Sequence, residues 1–406
     1  MTFLKDIKQL FSKDNMLATI TAFAIFLSFS PFFTWQFPIS IGGIAVLIIL
    51  VSNVRNLRFC TNIWFILFSL LYVVLAIRGN YSFWGFILLL LLCTIFYIDE
   101  RRLQRIYISF LFLFSILCSI SFFIYLCAVI IELPIPANQI EPLYETKSEV
   151  GISYYSYPFL VVSESTLSLL RYRFCAYFDE PGVIGTIAGS CLLINRYELK
   201  KWYNIGLFIF GLFSLSLYFF FITFVFFLFF ANKKVKFVLL MFFGIILFFL
   251  WDNEIVSTML LDRFSFEEGI GSMNNREHMS DFWWNNFVHS DSFLWGLGGG
   301  TSIIVNEGGS SYKNIIIDYG LIFFILYVVI YFYMAKSRIV NFMQTLRCFM
   351  VFASVLFQRP YIDACGYVFL MFIPIIIIAN QSKNYEINSG YSPCNMQRRK
   401  ISQIIN

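Results

Sequence analysis

Charge is what this 406-residue chain has least of. Only 13% of its residues are Asp, Glu, Lys or Arg, against about 25% in a soluble domain. With 59% hydrophobic and 20% aromatic residues, that shortage excludes a water-soluble globular protein, since 52 phenylalanines exceed what one aqueous core can bury. Histidine is almost missing: His278 and His289 are the two present, and their spacing suits no metal. The nine cysteines form no CxxC pair, and most lie inside apolar runs, where they read as packing residues. No cluster of His, Asp, Glu or Cys has metal-ligand spacing, so neither a metal nor any other cofactor is expected. The formal charge of +5 is too small to suggest nucleic acid as a partner. There is no internal repeat and no inverted half-to-half symmetry of the kind transporters show. The first apolar run lacks a cleavable-signal pattern and is long enough to span and stay.

What remains is a series of apolar runs. A hydrocarbon core needs about 20 apolar helical residues, and the runs fall at roughly 16–34, 37–52, 60–77, 81–98, 106–131, 182–195, 202–231, 235–251, 314–335, 345–357 and 363–380. Basic clusters fix orientation, because Lys and Arg favour the cytoplasmic side. Lys5 and Lys8, Arg55 and Arg58, Arg101 and Arg102, Arg196 and Lys200, Lys233 and Lys234, Lys336 and Arg338, and Arg398 and Arg399 mark successive inside segments. Both ends of 202–231 are basic, so that block must cross an even number of times. It reads as two short helices or a tight hairpin broken at Ser214-Leu-Ser216. The expected fold is therefore an all-α integral membrane protein with about 12 transmembrane helices (10–12) and two long extracytoplasmic loops. Its parts are N-terminal helices in 1–131, a first outer loop at 132–181, central helices in 182–251, a second outer loop at 252–313, C-terminal helices in 314–380 and a cytoplasmic tail at 381–406.

The outer loops carry the chemistry. The first ends in Arg171-Tyr-Arg173-Phe-Cys-Ala-Tyr-Phe-Asp179-Glu180-Pro181-Gly182-Val-Ile-Gly185, two cations and two adjacent acids just before an apolar helix. Proline suits a first helical turn, and the acids favour the positive end of the helix dipole. A plain topological boundary and a functional site both fit that pattern. The second loop is acidic, holds Arg263 and Arg276, and contains Trp283, Trp284 and Trp295. It continues through Leu294-Trp-Gly296-Leu-Gly298-Gly-Gly300 to Ser310-Ser-Tyr312-Lys313-Asn314 and then Asp318-Tyr319-Gly320-Leu-Ile. The glycine run reads as a tight turn in preference to a diphosphate-cradling nest.

The order of these features resembles the O-antigen and capsule polymerase family, whose relatives include the O-antigen ligases. Three features carry the resemblance, within roughly 170–335: the Glu-Pro-x-x-x-Gly entry into a helix, the serine-containing helix break, and the large outer loop with spaced arginines, a Gly-x-Gly turn and a closing Asp-Tyr-Gly-Leu-Ile. The resemblance implies glycosyl transfer at the outer face of the bacterial inner (plasma) membrane. A hydroxyl of one undecaprenyl-diphosphate-linked glycan would attack the anomeric carbon of another, and undecaprenyl diphosphate would leave. Arginine supplies both charge and bidentate donors to a diphosphate. Arg171, Arg173, Arg263 and Arg276 are the outer-loop arginines, with Arg78 and Arg359 in short turns. The alternative use of the four is in loop salt bridges. Glu180 is the first choice for the base that activates the hydroxyl, then Asp179, with His289 as another; helix capping or an arginine ion pair competes for Glu180. Trp283, Trp284 and Tyr312 could stack on sugar faces. Membrane lipid is the expected surroundings, and the resemblance leaves room for a chain-length regulator and a flippase as protein partners. The ligase relatives carry a histidine about ten residues before Tyr-Gly-Leu-Ile, where this chain has Gly308-Gly309-Ser310-Ser311; that favours polymerase over ligase. A lipid-linked oligosaccharide flippase or other transporter, or a scaffold of an assembly complex, are the competing classes.

Overall fold

The computed structural model describes residues 12–37, 41–58, 62–142, 152–165, 170–230, 237, 241, 244, 280–305 and 311–388. The chain is mostly helical. Among the described residues, five α-helices precede the first loop: α1 (Lys13–Leu27), α2 (Ile41–Asn53), α3 (Ile63–Arg78), α4 (Phe83–Leu92) and α5 (Glu100–Tyr125). After it come α6 (Pro181–Ile194), α7 (Trp202–Phe213) and α8 (Leu217–Phe230). The second loop contributes short helices α9 (Asp281–Val288), α10 (Ser292–Trp295), α11 (Thr301–Val305) and α12 (Lys313–Tyr319). The chain then runs through α13 (Leu321–Arg338), α14 (Phe342–Gln358) and α15 (Cys365–Asn388). Side chains set several starts. Asn62 accepts from Trp64 N–H, Ser82 from Gly85 N–H and Asn341 from Met343 N–H, meeting donors that a helix leaves unpaired at its first turn.

Among the described residues, three segments, Glu100–Ile130, Leu321–Arg338 and Cys365–Ser382, are long and apolar enough to cross a membrane. The other apolar helices have 10–17 residues, and at about 1.5 Å per residue they reach roughly 15–26 Å. Large apolar side chains cover the exterior, among them Val51 (74% exposed), Ile77 (67%) and Phe221 (62%), a surface compatible with a membrane protein.

End-to-end contacts sort the helices into two opposed faces. At one end Arg58 pairs with Asp99 at 3.0 Å and Arg338 with Glu100. There Arg102 Nε donates to Asn53 Oδ1 at 2.8 Å, and Arg347 Nη2 to Gln381 Oε1 at 2.7 Å. At the other end Phe32 N–H donates to the Tyr177 carbonyl (2.7 Å), the Tyr125 hydroxyl to the Tyr172 carbonyl (2.6 Å) and the Tyr81 hydroxyl to Asp363 (2.9 Å). The 202–231 block is two helices, as its basic ends require. α7 climbs from beside the end of α6, and α8 returns along α6. A Cβ on Gly185 would lie 2.3 Å from Ser216, Ser190 meets Tyr218 at 2.8 Å, and Tyr197 meets Thr223 at 2.7 Å.

One correction concerns the all-α expectation. The first loop holds a three-stranded antiparallel sheet in the order β1 (Asn138–Ile140), β2 (Ile152–Tyr157), β3 (Leu160–Ser165). Its hairpin register pairs Tyr157 with Leu160 and Tyr154 with Ser163. Tyr154 and Val161 turn inward against Cys175 and Trp35. The sequence signal was the β-branched and aromatic content of Ile152-Ser-Tyr-Tyr-Ser-Tyr, which suits a pleated, half-buried surface, without an apolar–polar alternation. Most of the expected span at 235–251, most of the 252–313 loop including Arg263 and Arg276, and the tail beyond 388 lie outside the described residues.

Candidate functional site

The segment 173–180 threads between the β2–β3 hairpin and the end of α1. Val161 N–H donates to the Ala176 carbonyl at 2.8 Å. Phe174 and Phe178 are fully buried; Phe178 lies edge-on to Phe26 and Phe29, and Phe29 edge-on to Tyr367 at 5.1 Å. On this aromatic floor the chain delivers Asp179 and Glu180, both partly exposed, to the start of α6. Glu180 is the N-cap residue by position, with extended backbone, yet its side chain does not cap the helix. Its carboxylate instead accepts from Arg359 Nη2.

Arg359 stands on the turn between α14 and α15 and is 5% exposed. Gly182 leaves room for it: a Cβ there would sit 2.9 Å from Arg359 Nη2, so a larger residue would make the guanidinium shift. Burial opposes the charge on Arg359, but the Glu180 carboxylate outweighs it, helped by Tyr367, Tyr361 and Asp179, and holds the guanidinium well above its ordinary value. Arg359 is therefore a permanent buried cation whose counter-ion is a half-exposed acid, Glu180 (side chain 39% exposed).

The same turn brings in more polar groups. Asp363 accepts from the Tyr81 hydroxyl, which also meets the Tyr319 hydroxyl at 3.4 Å. Burial, then the charge of Asp363, pushes the Tyr81 phenol far up, so it stays a neutral donor. The glycine run places Tyr319. Leu297 and Gly298 N–H donate to the Ile317 and Asp318 carbonyls, and Gly299 N–H to that of Arg78 at 2.9 Å. Gly296 and Gly320 approach so closely that a Cβ on either would strike the other strand of this joint at 2.3–2.5 Å, with φ of +77° and +91° that favour glycine. Asp318 is buried and accepts from both the backbone N–H and the hydroxyl of Ser302 at 2.8 Å each. Burial raises its carboxyl above the ordinary range against the pull of those bonds. The Gly-x-Gly run and Asp-Tyr-Gly are thus two halves of one structural clasp.

The residues expected from sequence distribute unevenly. Glu180 and Asp179 sit at the cluster just described. Arg173, 8% exposed, braces the α7–α8 break, donating to the Ser214 and Leu215 carbonyls at 3.3 Å each. Arg171 faces Glu164 of β3 at 3.5 Å. Tyr312 stacks on Phe357 at 5.7 Å, two residues from Arg359. Trp283 stacks on Phe287 at 5.2 Å, and Trp284 takes the Lys313 ammonium over its ring at 4.7 Å; both pack against α12 and α13. His289 is exposed at the end of α9 with Nδ1 at 2.7 Å from its own helix's Asn285 carbonyl, and no contact joins it to Glu180 among the described residues. Sequence reasoning passed over Arg359, Tyr81 and Asp363 as site residues. The available signal was an arginine in an outer turn, where the basic bias of inner segments makes one unusual.

No protein-family model, curated protein or solved structure matches this chain.

Proposed function

We propose that this chain is an O-antigen (surface polysaccharide) polymerase of the bacterial inner membrane, joining undecaprenyl-diphosphate-linked repeat units at the outer face. In this reading the bundle crosses the bilayer about 12 times (10–12), with the basic end inside and the two long loops outside. The observation that carries it is the Glu180–Arg359 pair: a buried, permanent guanidinium and an acid at an uncapped helix start, on the end opposite the basic clusters. The acceptor hydroxyl forms the new C–O bond at the anomeric carbon as the bond to the diphosphate oxygen breaks. Its proton goes to Glu180, and the departing diphosphate takes the bonding electron pair. Arg359 is then the fixed cation for that charge, together with Arg263 and Arg276 from the second loop. A fixed donor of this kind contributes roughly 3–4 kcal/mol to barrier lowering. When diphosphate competes for Arg359, Glu180 is released as a base. Arg173 and Arg171 act at one remove, holding the helix break and the sheet, and the Trp283, Trp284 and Tyr312 rings offer sugar faces a platform.

Purified protein given only lipid-linked repeat units should build a ladder of products with EDTA present, because the activation energy resides in the diphosphate linkage. A strict requirement for added Mg²⁺ or Mn²⁺, or for a nucleotide sugar, would reject this mechanism. Loss of the gene should leave single repeats on the surface lipid, whereas loss of a flippase leaves none.

A further inference from the structure

The end of the bundle opposite Glu180 contains a second group of cations, buried Arg347 and half-buried Arg196, and neither is in an ion pair of its own among the described residues; the charge of Glu198, already ion-paired with Lys201, also acts on Arg347. Arg347, on the second turn of α14, is 3% exposed. Its Nη2 donates to Gln381 Oε1 at 2.7 Å, and Gln381 Nε2 donates in turn to the Ile194 carbonyl at the end of α6 (3.2 Å). This relay places Arg347 beside Arg196, two residues past Ile194, whose positive charge acts on it. Nε of Arg347 and Nε of Arg196 are both buried with no hydrogen-bond partner. Neither residue is in an ion pair among the described residues.

The neighbours show that this is a local shortage. Arg58 has Asp99, Arg338 has Glu100, and Lys201 has Glu198 at 3.1 Å. Those acid-paired cations are partly or well exposed, where a partner matters least. Buried Arg347, where an uncompensated charge is costliest, and half-buried Arg196 lack an ion-pair partner of their own. The carbonyl end of α6 supplies roughly half a negative charge against two full positive ones. The adjacent amides are already engaged with each other, Asn195 Nδ2 donating to Asn204 Oδ1 at 2.8 Å and Tyr107 OH to Asn195 Oδ1 at 3.1 Å. Arg196 also sits at φ +57°, followed by Tyr197 at +52°, a left-handed turn of two non-glycine residues that is strained and that holds Arg196 next to Arg347.

We propose that Arg196 and Arg347 form an anion site for a phosphate group between the end of α6 and the start of α14, entered past half-buried Arg196. A phosphate bears the two or more acceptor oxygens that two guanidiniums require. It could come from an acidic phospholipid headgroup, which basic recesses between membrane helices hold, or from free phosphate. The site clamps the same two helices whose far ends present Glu180 and Arg359, yet it does not depend on what those residues do.

The test is thermal unfolding of the purified full-length chain in neutral detergent, with phosphatidylglycerol, phosphatidylcholine, inorganic phosphate or chloride at matched ionic strength. Phosphatidylglycerol should raise the midpoint by several degrees over phosphatidylcholine, and Arg196→Gln and Arg347→Gln should each lose at least half of that rise. Arg101→Gln, on the exposed face of α5, should keep it. The same rise with inorganic phosphate identifies a free anion as the ligand; a rise with lipid alone identifies the headgroup. No rise with either, or an equal rise in wild type and in Arg196→Gln, overturns the proposal. Should Arg347→Gln not fold, Arg196→Gln decides, since that side chain is half-exposed and its loss leaves the core intact.

Discussion

At neutral pH Glu180 and Arg359 neutralise each other, so removing one exposes the other in a way that separates structure from chemistry. Glu180→Gln keeps the shape but leaves Arg359 with a weaker acceptor; a hydrogen bond to a charged group contributes roughly 1.5–3 kcal/mol, and stability in detergent should fall by that order. Ladder formation should disappear, while an analogue carrying a prenyl diphosphate should bind more tightly, because its competitor is gone. Arg359→Lys keeps charge without the fork and should lose that binding. Unchanged ladders in either variant would remove this pair from the chemistry. Asp318 offers a contrast, since its role is structural. Burial raises its carboxyl above the ordinary 3.8, so the folded chain holds the proton more tightly than the unfolded one. Stability therefore declines as pH climbs from the ordinary value through the folded one, and returns on acidification. Asp318→Asn retains an acceptor for Ser302 N–H and loses that dependence. Unfolding midpoints of wild type and Asp318→Asn at pH 4 and pH 7 should shift relative to each other in favour of wild type at pH 4; a constant difference would contradict the assignment.

Helix α6 is held by what its glycines allow. Gly185 lets Ser216 approach to where a Cβ would be 2.3 Å away, and Gly189 does the same for Ile222 at 2.7 Å. Gly185→Ala should cost roughly 1–3 kcal/mol through overpacking, and Ser216→Gly, tolerated where a helix begins, should recover most of it. A double-mutant cycle on unfolding midpoints reads that coupling; additive effects would mean the two helices do not meet there. This packing was legible only in part. The Glu-Pro-x-x-x-Gly pattern and the serine break both stood out in sequence, and the basic ends of 202–231 announced a helix pair. That the break closes on Gly185, and that Arg173 braces its carbonyls, depends on contacts between segments far apart in the chain, which periodicity does not encode. Arg359 escaped for the same reason. A lone arginine in a short turn has no local pattern, and its meaning comes from an acid on a different helix. The sheet escaped for another reason: prolines and tyrosines drew the loop reading, and 152–157 lacks the apolar–polar alternation that marks a strand.

At the scale of the molecule the two ends differ in kind. One gathers Arg58, Arg102, Arg338 and Arg347; the other gathers the sheet, the glycine clasp and the Glu180–Arg359 pair. Between them lies an apolar exterior, and its helices alternate in direction so that the basic clusters of the described turns fall at the first end. A random arrangement of helix directions would scatter those turns over both faces. On the proposed function, the positive-inside bias would put the Glu180 end outside, where lipid-linked glycans and not cytosolic nucleotides would be the available substrates. Single cysteines in a cysteine-free background test this at exposed positions. Ala137→Cys on the first loop and Asn285→Cys on α9 should react with an impermeant maleimide in intact cells. Lys200→Cys, in the exposed turn after α6, should react only after permeabilisation. Labelling of Lys200→Cys in intact cells would invert the molecule, set Glu180 and Arg359 against the cytosol, and remove the substrate class from their reach whatever their geometry. Equal labelling at all three positions would mean that the end faces are not separated by a bilayer.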